Sequence, residues 1–520
     1  MNKLCKNCSQ AFEITPDDLG FYAKIGVPPP TLCPECRYQR RLANRNEWNF
    51  FKRNCDLCRK SMVTIYRPEY PGPVYCQSCY WSDNWDTLDY GRDFDFSRPF
   101  FPQFKEHRFI VPRIALANKN SVNSEYTNQA TDNRSCYMII ASSYNEFCMY
   151  GNWYQNSKEC VDCWDILKSE LMYECLFVND SYRCAFLDDA NNCHDVYFGD
   201  DLGNCGNCFG CVGSRNKNYC WFNEQLSKEE YEKRFKAVDW SPEGIEKNRK
   251  KLHELRLKVP TEYYHGYFNN NFSGDYVDHN KNVYCAFNAG DNENSKYLQD
   301  AWEAKDCMDL TETLDNTFDY ECEGTGWGQN NIGTSKKWHG SDVYYSELTF
   351  NSDNLFGCVS IIKKNYCIFN KQYSPSEYAV EVSKIKSQMS KNGEWGEFFP
   401  AEISPFPYED TVAQDYFPRE SVRKREKYTG SDAVPCQNPS CAGVGAFRLH
   451  PQELEFYKKM KLSAPVVCFP CRLKARLARR NPRKLWKREC MKCSKDIETS
   501  YAPDRPEIIY CESCYQQEIV

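Results

Sequence analysis

Residues 135–160, SCYMIIASSYNEFCMYGNWYQNSKEC, carry the repeat that decides the fold in the middle of this 520-residue chain. Cys136, Cys148 and Cys160 are spaced 12 residues apart, and short apolar or aromatic segments alternate with Asn and Ser. Short strands with a turn at each such step are typical of a β-solenoid, in which each step is a rung or half a rung. We therefore predict that cysteine fills stacked inward positions as a small apolar side chain and that asparagine turns the corners.

This repeat region is present twice. An offset of 147 residues aligns 137–231 with 284–378 without a gap, and CFGCVGSRNKNYCWFNEQ of the first copy lies over LFGCVSIIKKNYCIFNKQ of the second. Cys175, Cys184 and Cys193 continue the rhythm at a spacing of nine residues. The predicted fold class is therefore mainly β, with a duplicated Cys/Asn-rich β-solenoid. A β-sandwich with hairpins is the alternative, because it allows the same spacing of turns.

Helices are predicted to follow each copy. A serine followed three residues later by glutamate is a helix-capping signal, and it occurs at the end of both copies. The signals are Ser227 with Glu230 and Ser374 with Glu377, and the helices predicted after them span 228–237, 242–258 and 375–391.

Both ends of the chain carry paired cysteines, four pairs at each end. An offset of 435 aligns 21–80 with 456–515 without a gap, so the ends are copies of one module. Two Cys-x2-Cys pairs complete a tetrahedral four-cysteine site, and a site without an open ligand position is structural rather than catalytic. We predict four structural Zn²⁺ ions; pairing in chain order is the simplest arrangement, and a cross-braced pairing would use the same ligands. The predicted ligands are Cys5, Cys8, Cys33 and Cys36; Cys55, Cys58, Cys76 and Cys79; Cys436, Cys441, Cys468 and Cys471; and Cys490, Cys493, Cys511 and Cys514.

A basic stretch follows the second cysteine pair of each module, RYQRRLANRN at 37–46 and RLKARLARRN at 472–481. Each is predicted to form a helix that opens at two thiolates, as in a treble clef. One interpretation is contact with the phosphates of RNA or DNA. The other is a solvated helix face that balances the negative charge of the zinc–thiolate sites. The predicted nucleic-acid contacts are Arg37, Arg40, Arg41, Arg45, Arg472, Lys474, Arg476, Arg479, Arg480, Arg483, Lys484, Lys487 and Arg488.

The chain resembles a group of zinc-ribbon proteins of candidate-phyla bacteria. The resemblance rests on FYAKIGVPPPTLCPECRYQRRLANRNE, CDLC and VYCQSCYWSDNWD near the start. Further along, CFGCVGSRNKNYCWFNEQ and EWGEFFPAEISPFPYEDTVAQDYFP are also similar to that group. The resemblance covers most of the chain and implies zinc-ribbon or treble-clef modules and zinc binding in the cytoplasm, but no reaction. The Cys436/Cys441 pair departs from the pattern, because four residues separate its cysteines.

A further metal site in the middle is a weaker hypothesis. Cys205, Cys208, Cys211 and Cys220 form the densest cysteine cluster there, but two of the four equivalents in the second copy are Ser352 and Leu355. We therefore expect packed thiols rather than a fifth metal. The acidic doublets Asp188/Asp189 and Asp200/Asp201 are predicted to be solvated corners, and no hydrolase, P-loop or dinucleotide motif is present in the sequence.

These features predict six segments and a non-enzymatic role. The segments are a zinc module at 1–80, an aromatic acidic connector at 81–120, solenoid copies at 121–260 and 261–392, a Pro/aromatic strap at 393–430 with its rings as anchors, and a zinc module at 431–520. The ends carry net charges of +5 and +6 and the middle −17. We expect binding of RNA, or less readily DNA, through the basic helices. The alternatives are a scaffold that docks a protein on the acidic aromatic solenoid, and a carbohydrate-acting or redox enzyme. Reduced thiols and the lack of a long apolar run predict a cytoplasmic protein with no membrane partner.

Overall fold

The computed structural model describes residues 1–420 and 433–519, so the predicted boundary between the strap and the second zinc module lies outside the described residues. The middle of the chain is a β-solenoid of about 21 turns, and the β-sandwich alternative is wrong. Strands of successive turns pair in parallel, in most pairs with a shift of 12 residues, as in Tyr182 with His194 and Gly199 with Cys211. A sandwich of hairpins would instead pair its neighbouring strands antiparallel.

Each turn of the solenoid is built from units of three residues. The buried cluster of the first solenoid contains Cys136, Ile139 and further residues at multiples of three, down to Cys220. The residue before each inward side chain has a positive φ, such as 52° at Ser135 and 57° at Met138. A turn of 12 residues therefore has four sides with four inward side chains. This left-handed conformation is sterically unfavourable for residues other than glycine, so the packing and hydrogen bonds between turns must stabilise it.

Inward side chains form hydrogen bonds with backbone carbonyl and N–H groups of their own and the neighbouring turn. The Ser157 hydroxyl donates to the Gln155 carbonyl at 2.9 Å and accepts from the Ser169 N–H at 3.3 Å. The Cys160 thiol donates in the same way to the carbonyls of Lys158 at 3.3 Å and Ser169 at 3.6 Å. The buried cysteines are therefore weak hydrogen-bond donors as well as small apolar side chains.

The asparagines occupy more than the predicted corners. Asn123, Asn156 and Asn204 have positive φ and do lie at corners. Asn133 and Asn145 are instead buried, and the Asn145 amide donates to the Asn133 Oδ1 at 2.9 Å. Asparagine therefore has two roles here, because its side chain both tolerates positive φ and bridges two turns.

The chain folds into two units, and each unit combines one terminal module with the solenoid that is more distant from it in the sequence. Among the described residues, the first unit contains residues 1–116 and 264–420, and the second contains residues 117–263 and 433–519. The N-terminal module thus belongs with the second solenoid and the C-terminal module with the first. The six segments predicted from the sequence do not indicate which module belongs with which solenoid.

In the first unit, the module contains helices α1 (Pro16–Ile25), α2 (Pro34–Leu42) and α3 (Gln77–Tyr80). Its strands are Asn2–Leu4, Ala11–Glu13, Phe51–Asn54, Ser61–Thr64 and Val74–Tyr75. Helix α4 (Phe100–Ile110) and strand Arg113–Ile114 follow. The solenoid strands are Asn270–Asp278, Lys281–Gly290, Glu293–Lys305, Met308–Thr317, Tyr320–Thr325, Gly328–Gln329, Ser335–Trp338, Val343–Tyr344, Glu347–Phe350, Leu355–Phe356, Cys367–Ile368 and Lys371–Gln372.

In the second unit, the solenoid precedes the module. Its strands are Asn118–Lys119, Ala130–Thr131, Tyr137–Ile140, Met149–Gln155, Lys158–Val161, Trp164–Leu167, Glu170–Tyr173, Leu176–Asn179, Tyr182–Asn191, His194–Gly203, Gly206–Arg215, Cys220–Trp221 and Glu224–Gln225. Helices α5 (Lys228–Lys236) and α6 (Pro242–Arg256) follow, as predicted, and α7 (Pro375–Lys391) ends the other solenoid. The module contains strands Thr261–Glu262, Val434–Pro435, Ala446–Phe447, Trp486–Glu489, Asp496–Thr499 and Ile509–Tyr510.

The predicted strap is anchored by its rings. Phe398 and Phe399 are fully buried, and the Phe399 ring stacks on Phe104 of α4 at 4.7 Å. Two single turns, Ala401–Ile403 and Tyr408–Asp410, and helix α8 (Ala413–Tyr416) follow. Among the described residues, none of the helices combines the length and apolar character needed to cross a bilayer.

Candidate metal centres and docking of the terminal modules

Four groups of four thiols, two in each module, could hold metal ions. In each group the four sulfur atoms lie within 4.8 Å of one another, and the groups follow chain order rather than a cross-braced pairing. The groups are Cys5, Cys8, Cys33 and Cys36; Cys55, Cys58, Cys76 and Cys79; Cys436, Cys441, Cys468 and Cys471; and Cys490, Cys493, Cys511 and Cys514.

The spacing of the sulfur atoms fits a single tetrahedral ion. Zn–S bonds of about 2.3 Å at tetrahedral angles place neighbouring sulfur atoms about 3.8 Å apart. The Cys8 and Cys33 sulfur atoms are 3.8 Å apart, and those of Cys493 and Cys511 are 3.7 Å apart. The donor set and its dimensions therefore suit one zinc ion per group.

The widened Cys436/Cys441 pair keeps this geometry. The Cys436 sulfur lies 3.8 Å from that of Cys471, and the Cys441 sulfur lies 3.5 Å from that of Cys468. A backbone amide also reaches the site, because the Gly443 N–H donates to the Cys441 sulfur at 3.3 Å. The departure from the Cys-x2-Cys pattern therefore does not disrupt the four-thiol group.

Backbone amides prepare the thiols for metal binding. Burial raises the pKa of Cys5, but N–H groups of Cys8, Cys33 and Asn7 lower it more, to about 6. Burial raises the pKa of Cys490, but the amides of Cys511, Cys493 and Lys492 lower it more, also to about 6. Cys33 and Cys468 are the N-caps of α2 and of α10 (Phe469–Arg479), as the treble-clef prediction requires. Amide donors and helix N-termini favour the thiolate that binds metal. At Cys33 and Cys468 burial outweighs these amides and raises the pKa of both thiols.

Helix α2 turns its arginines onto the second solenoid. The Arg37 Nε lies 2.8 Å from an Asp309 carboxylate oxygen, and the Arg41 Nη1 lies 3.3 Å from the other. Arg41 also pairs with Glu321 at 3.1 Å, and all four side chains are at most 1 % exposed. Burial lowers the pKa of Arg37, but the Asp309 carboxylate contributes to raising it well above its usual value.

Helix α10 repeats this contact on the first solenoid. Arg472 and Arg476, the equivalents of Arg37 and Arg41, approach Asp162 at 3.3 and 2.5 Å. Asp162 is the equivalent of Asp309 and, like it, has a positive φ, 58° against 60°. We call this pair of arginines, four residues apart on one helix and closed around one aspartate, the arginine clamp.

Aromatic contacts beside the clamp are duplicated as well. Tyr22 of α1 packs edge-on to Tyr320 with ring centroids 5.6 Å apart, and Tyr457 of α9 (Pro451–Met460) packs on Tyr173 at 5.4 Å. The Arg37 guanidinium also lies 5.2 Å from the centroid of the Tyr297 ring. Both modules therefore dock on their solenoids through the same arrangement of residues.

The clamp changes the interpretation of the basic helices. Arg37, Arg41, Arg45, Arg472 and Arg476 are buried, so they do not lie on a surface that a phosphate could reach, and the helix face is not solvated either.

The other predicted nucleic-acid residues are divided between internal contacts and the surface. Arg40 pairs with Glu321 and Glu397, each at 2.7 Å. Arg479 pairs with Asp188 at 2.6 Å. Half-buried residues of the set are Arg480, Arg483 and Arg488, and exposed ones are Lys474, Lys484 and Lys487. Nucleic-acid contact by these six residues stays a prediction.

The acidic doublets of the first solenoid are ion-pair partners, and the prediction that they are solvated corners is wrong. Asp188 binds Arg479, and Asp200 lies 2.8 Å from Arg256 of α6. Asp201 pairs with Arg215 at 2.5 Å. Burial raises the pKa of Asp200 to about 7.

The inner cysteine cluster is packed within the solenoid. Cys205, Cys208, Cys211 and Cys220 are all buried and form none of the metal-capable groups among residues 1–420 and 433–519. The Cys205 thiol donates to the carbonyls of Gly203 and Ser214, both at 3.4 Å. These thiols therefore have the same structural role as Cys160.

The two internal duplications of the sequence carry a signal for the clamp. Asp162 and Asp309 are related by the solenoid offset, and Arg472 and Arg37 by the module offset. Opposite charges that recur in both copies are the pattern expected of a duplicated interface.

No known protein-family model matches the chain, and a search of curated proteins finds no match.

Proposed function

We propose that the protein is a non-enzymatic zinc-binding scaffold. Each terminal module is held in shape by two zinc ions and clamps one solenoid, and the remaining solenoid surface is free to dock a protein partner. The observation that supports this proposal is the burial of the basic helix faces against solenoid carboxylates. A helix face engaged in this way assembles the protein itself, whereas a nucleic-acid site must leave its cations exposed.

Zinc is the metal we assign to the four groups. All sixteen ligands are cysteine, no position is left open for a substrate, and the sulfur spacing suits a 2.3 Å bond. Such sites need reduced thiols, so the proposal places the protein in the cytoplasm.

Metal analysis of the intact chain tests the proposal. We expect about four zinc ions per chain, and removal of zinc should open both modules to protease. The companion variant is Asp309→Ala, which leaves all metal ligands in place. It should retain its zinc but expose residues 1–80 to protease by loosening the clamp. Fewer than four zinc ions, or protease resistance unchanged in the Asp309→Ala variant, would contradict the scaffold proposal.

Nucleic-acid binding is the second candidate, because Lys474, Lys484 and Lys487 remain exposed on the C-terminal module. Salt-dependent binding of a labelled single-stranded RNA should weaken when all three are changed to alanine. The matched control changes three exposed lysines of the same unit, Lys236, Lys247 and Lys250. Loss in both triple variants would indicate non-specific attraction, and loss in neither would remove the named site. Arg479 is not used in this test, since it pairs with Asp188.

A further inference from the structure

One face of the second solenoid exposes an apolar column beside an acidic column. Trp302, Leu314 and Trp338 occur on one outer column at multiples of 12 residues. The adjoining corner carries Asp291, Glu303, Asp315, Trp327 and His339, again 12 residues apart. Neighbouring turns of a parallel solenoid are about 4.8 Å apart, so each column is a continuous line of side chains. We call the two columns together the acidic–aromatic face.

The face is accessible. Leu314 is 42 % exposed and Trp327 is 37 % exposed, which is high for large apolar side chains. The Trp327 and His339 rings stack with centroids 4.6 Å apart and thereby form a rigid edge. Asp291, Glu303 and Asp315 are exposed, and among the described contacts no basic nitrogen lies within 4.0 Å of their carboxylates. This differs from Asp309, whose carboxylate is closed by two arginines.

The first solenoid shows that the fold does not require such a face. The residues equivalent to Trp302 and Trp338 there are Gln155 and Asn191, and the residue equivalent to Asp315 is Lys168. The two copies have the same 12-residue register and the same clamp. The half-buried Trp302 and Trp338 and the exposed Asp315 of this face are therefore specific to the second copy.

We propose that the acidic–aromatic face docks a basic amphipathic segment of a partner protein. This inference rests on the scaffold function and names its surface. A helix with one apolar side flanked by Lys or Arg would place its apolar side on Trp302 and Leu314 and its cations on the acidic corner. The same carboxylates would repel the phosphates of nucleic acids and of anionic lipids.

The N-terminal module bounds this face. Trp81, directly after α3, packs edge-on to Phe350 at 4.8 Å, and Phe350 stacks on Trp338 at 6.4 Å. Trp81 is itself 41 % exposed and continues the apolar surface. The docked segment would therefore run along the solenoid and end against the second zinc group of the module.

A model peptide tests the inference on the intact, zinc-loaded chain. The probe is a fluorescein-labelled 18-residue peptide of leucine and lysine at helical spacing, and the measurement is fluorescence anisotropy. We expect saturable binding that weakens about tenfold in the Glu303→Gln/Asp315→Asn variant and about tenfold in Leu314→Asn. The matched controls on the first solenoid, Glu125→Gln/Asp180→Asn and Leu167→Asn, should bind as the unmodified chain does.

Three results would overturn the inference: no binding, equal weakening in the controls, or equal binding of oligolysine, which has the charge but no apolar side. Zinc content and protease resistance are measured on the same samples. A chain with four zinc ions and a closed clamp that does not bind the peptide refutes the docking surface alone. A chain without zinc or clamp refutes the scaffold function instead.

Discussion

The two solenoids share a register and a clamp but have different interiors. The first is filled largely by thiols and aliphatic side chains, and eleven of its buried core residues are cysteine. The second encloses Asp319 and Lys337, both 0 % exposed. Their equivalents in the first copy are Met172 and Ala190. The comparison shows that the hydrogen-bonded backbone and the three-residue unit define this fold, since very different side chains can fill it.

The second interior tolerates a charged lysine because the backbone provides acceptors. The Lys337 ammonium donates to the carbonyls of Trp327 at 2.9 Å and Gly340 at 3.1 Å. Gly328, on a facing position, has φ of 149°, and a Cβ there would lie 2.8 Å from the Lys337 nitrogen. The lysine therefore fills room that glycine leaves, and its protons are satisfied without a solvent contact.

Loss of a metal ligand should have the largest effect, and it should affect a terminal module far more than a solenoid. Changing Cys36 to serine removes one thiolate of a four-thiol group, and structural zinc sites contribute about 10–16 kcal/mol to the folding of small domains. We expect zinc content to fall from four to three ions per chain and residues 1–80 to become sensitive to protease. The control is Cys175→Ser, which changes a buried solenoid thiol. If both variants lose zinc equally, the division into metal-binding and packing cysteines is wrong.

Breaking either clamp should cost a similar free energy of unfolding. Asp309→Ala leaves Arg37 and Arg41 buried with Glu321 as their remaining shared carboxylate, and removal of one partner of a buried ion pair costs about 3–5 kcal/mol. Asp162→Ala should have an effect of the same size in the other unit, because Arg472 and Arg476 are buried in the same way. Urea unfolding followed by site-specific proteolysis measures each unit. A large effect in one unit and none in the other would show that the clamps are not equivalent.

The terminal metal groups were predictable because their signal is local. Two thiols on a tight turn, repeated at both ends, define a site before any tertiary contact is known. The solenoid was predictable from the 12-residue spacing of Cys136, Cys148 and Cys160.

The three-residue unit and the clamp were not predicted, for different physical reasons. Most left-handed positions of the three-residue unit carry ordinary residues such as Met138 and Phe147 rather than glycine, so composition does not mark them. The clamp joins residues far apart in the chain: Arg37 and Asp309 are separated by 272 positions. A basic helix alone indicates neither the carboxylate it will meet nor that it will be buried.

The Asp319 carboxyl should make the second solenoid sensitive to pH. Burial raises its pKa to about 7, well above its ordinary value of 3.8. Between about pH 4 and pH 7 the folded chain holds a proton here that the unfolded chain has lost, so this group's contribution to the free energy of unfolding falls as pH rises. The Asp319→Asn variant keeps the oxygen that accepts from the Asn331 N–H, as Asn133 does for Asn145.

We therefore expect Asp319→Asn to gain stability over the unmodified chain as pH rises from about 4 to about 7, by up to about 4 kcal/mol, and to keep that gain above pH 7. Denaturant unfolding at several pH values measures the difference between the two proteins. The matched change in the first solenoid, Met172→Leu, should show no such dependence. A constant difference across this range would mean that Asp319 is ionised in the folded chain.

The smallest expected effect tests the role of thiols inside the first solenoid. Cys160 and Ser157 both donate to the carbonyls two residues earlier and nine residues later. Cys160→Ser keeps a donor in that geometry and should cost less than about 1 kcal/mol, whereas Cys160→Ala leaves both carbonyls without it and opens a small cavity, for about 1–2 kcal/mol. Thermal unfolding of the two variants, with equal zinc content confirmed, decides between a donor and a purely apolar role. If Cys160→Ala is the more stable variant, the thiols only fill space, and the hydroxyls of the serine positions are not their counterparts.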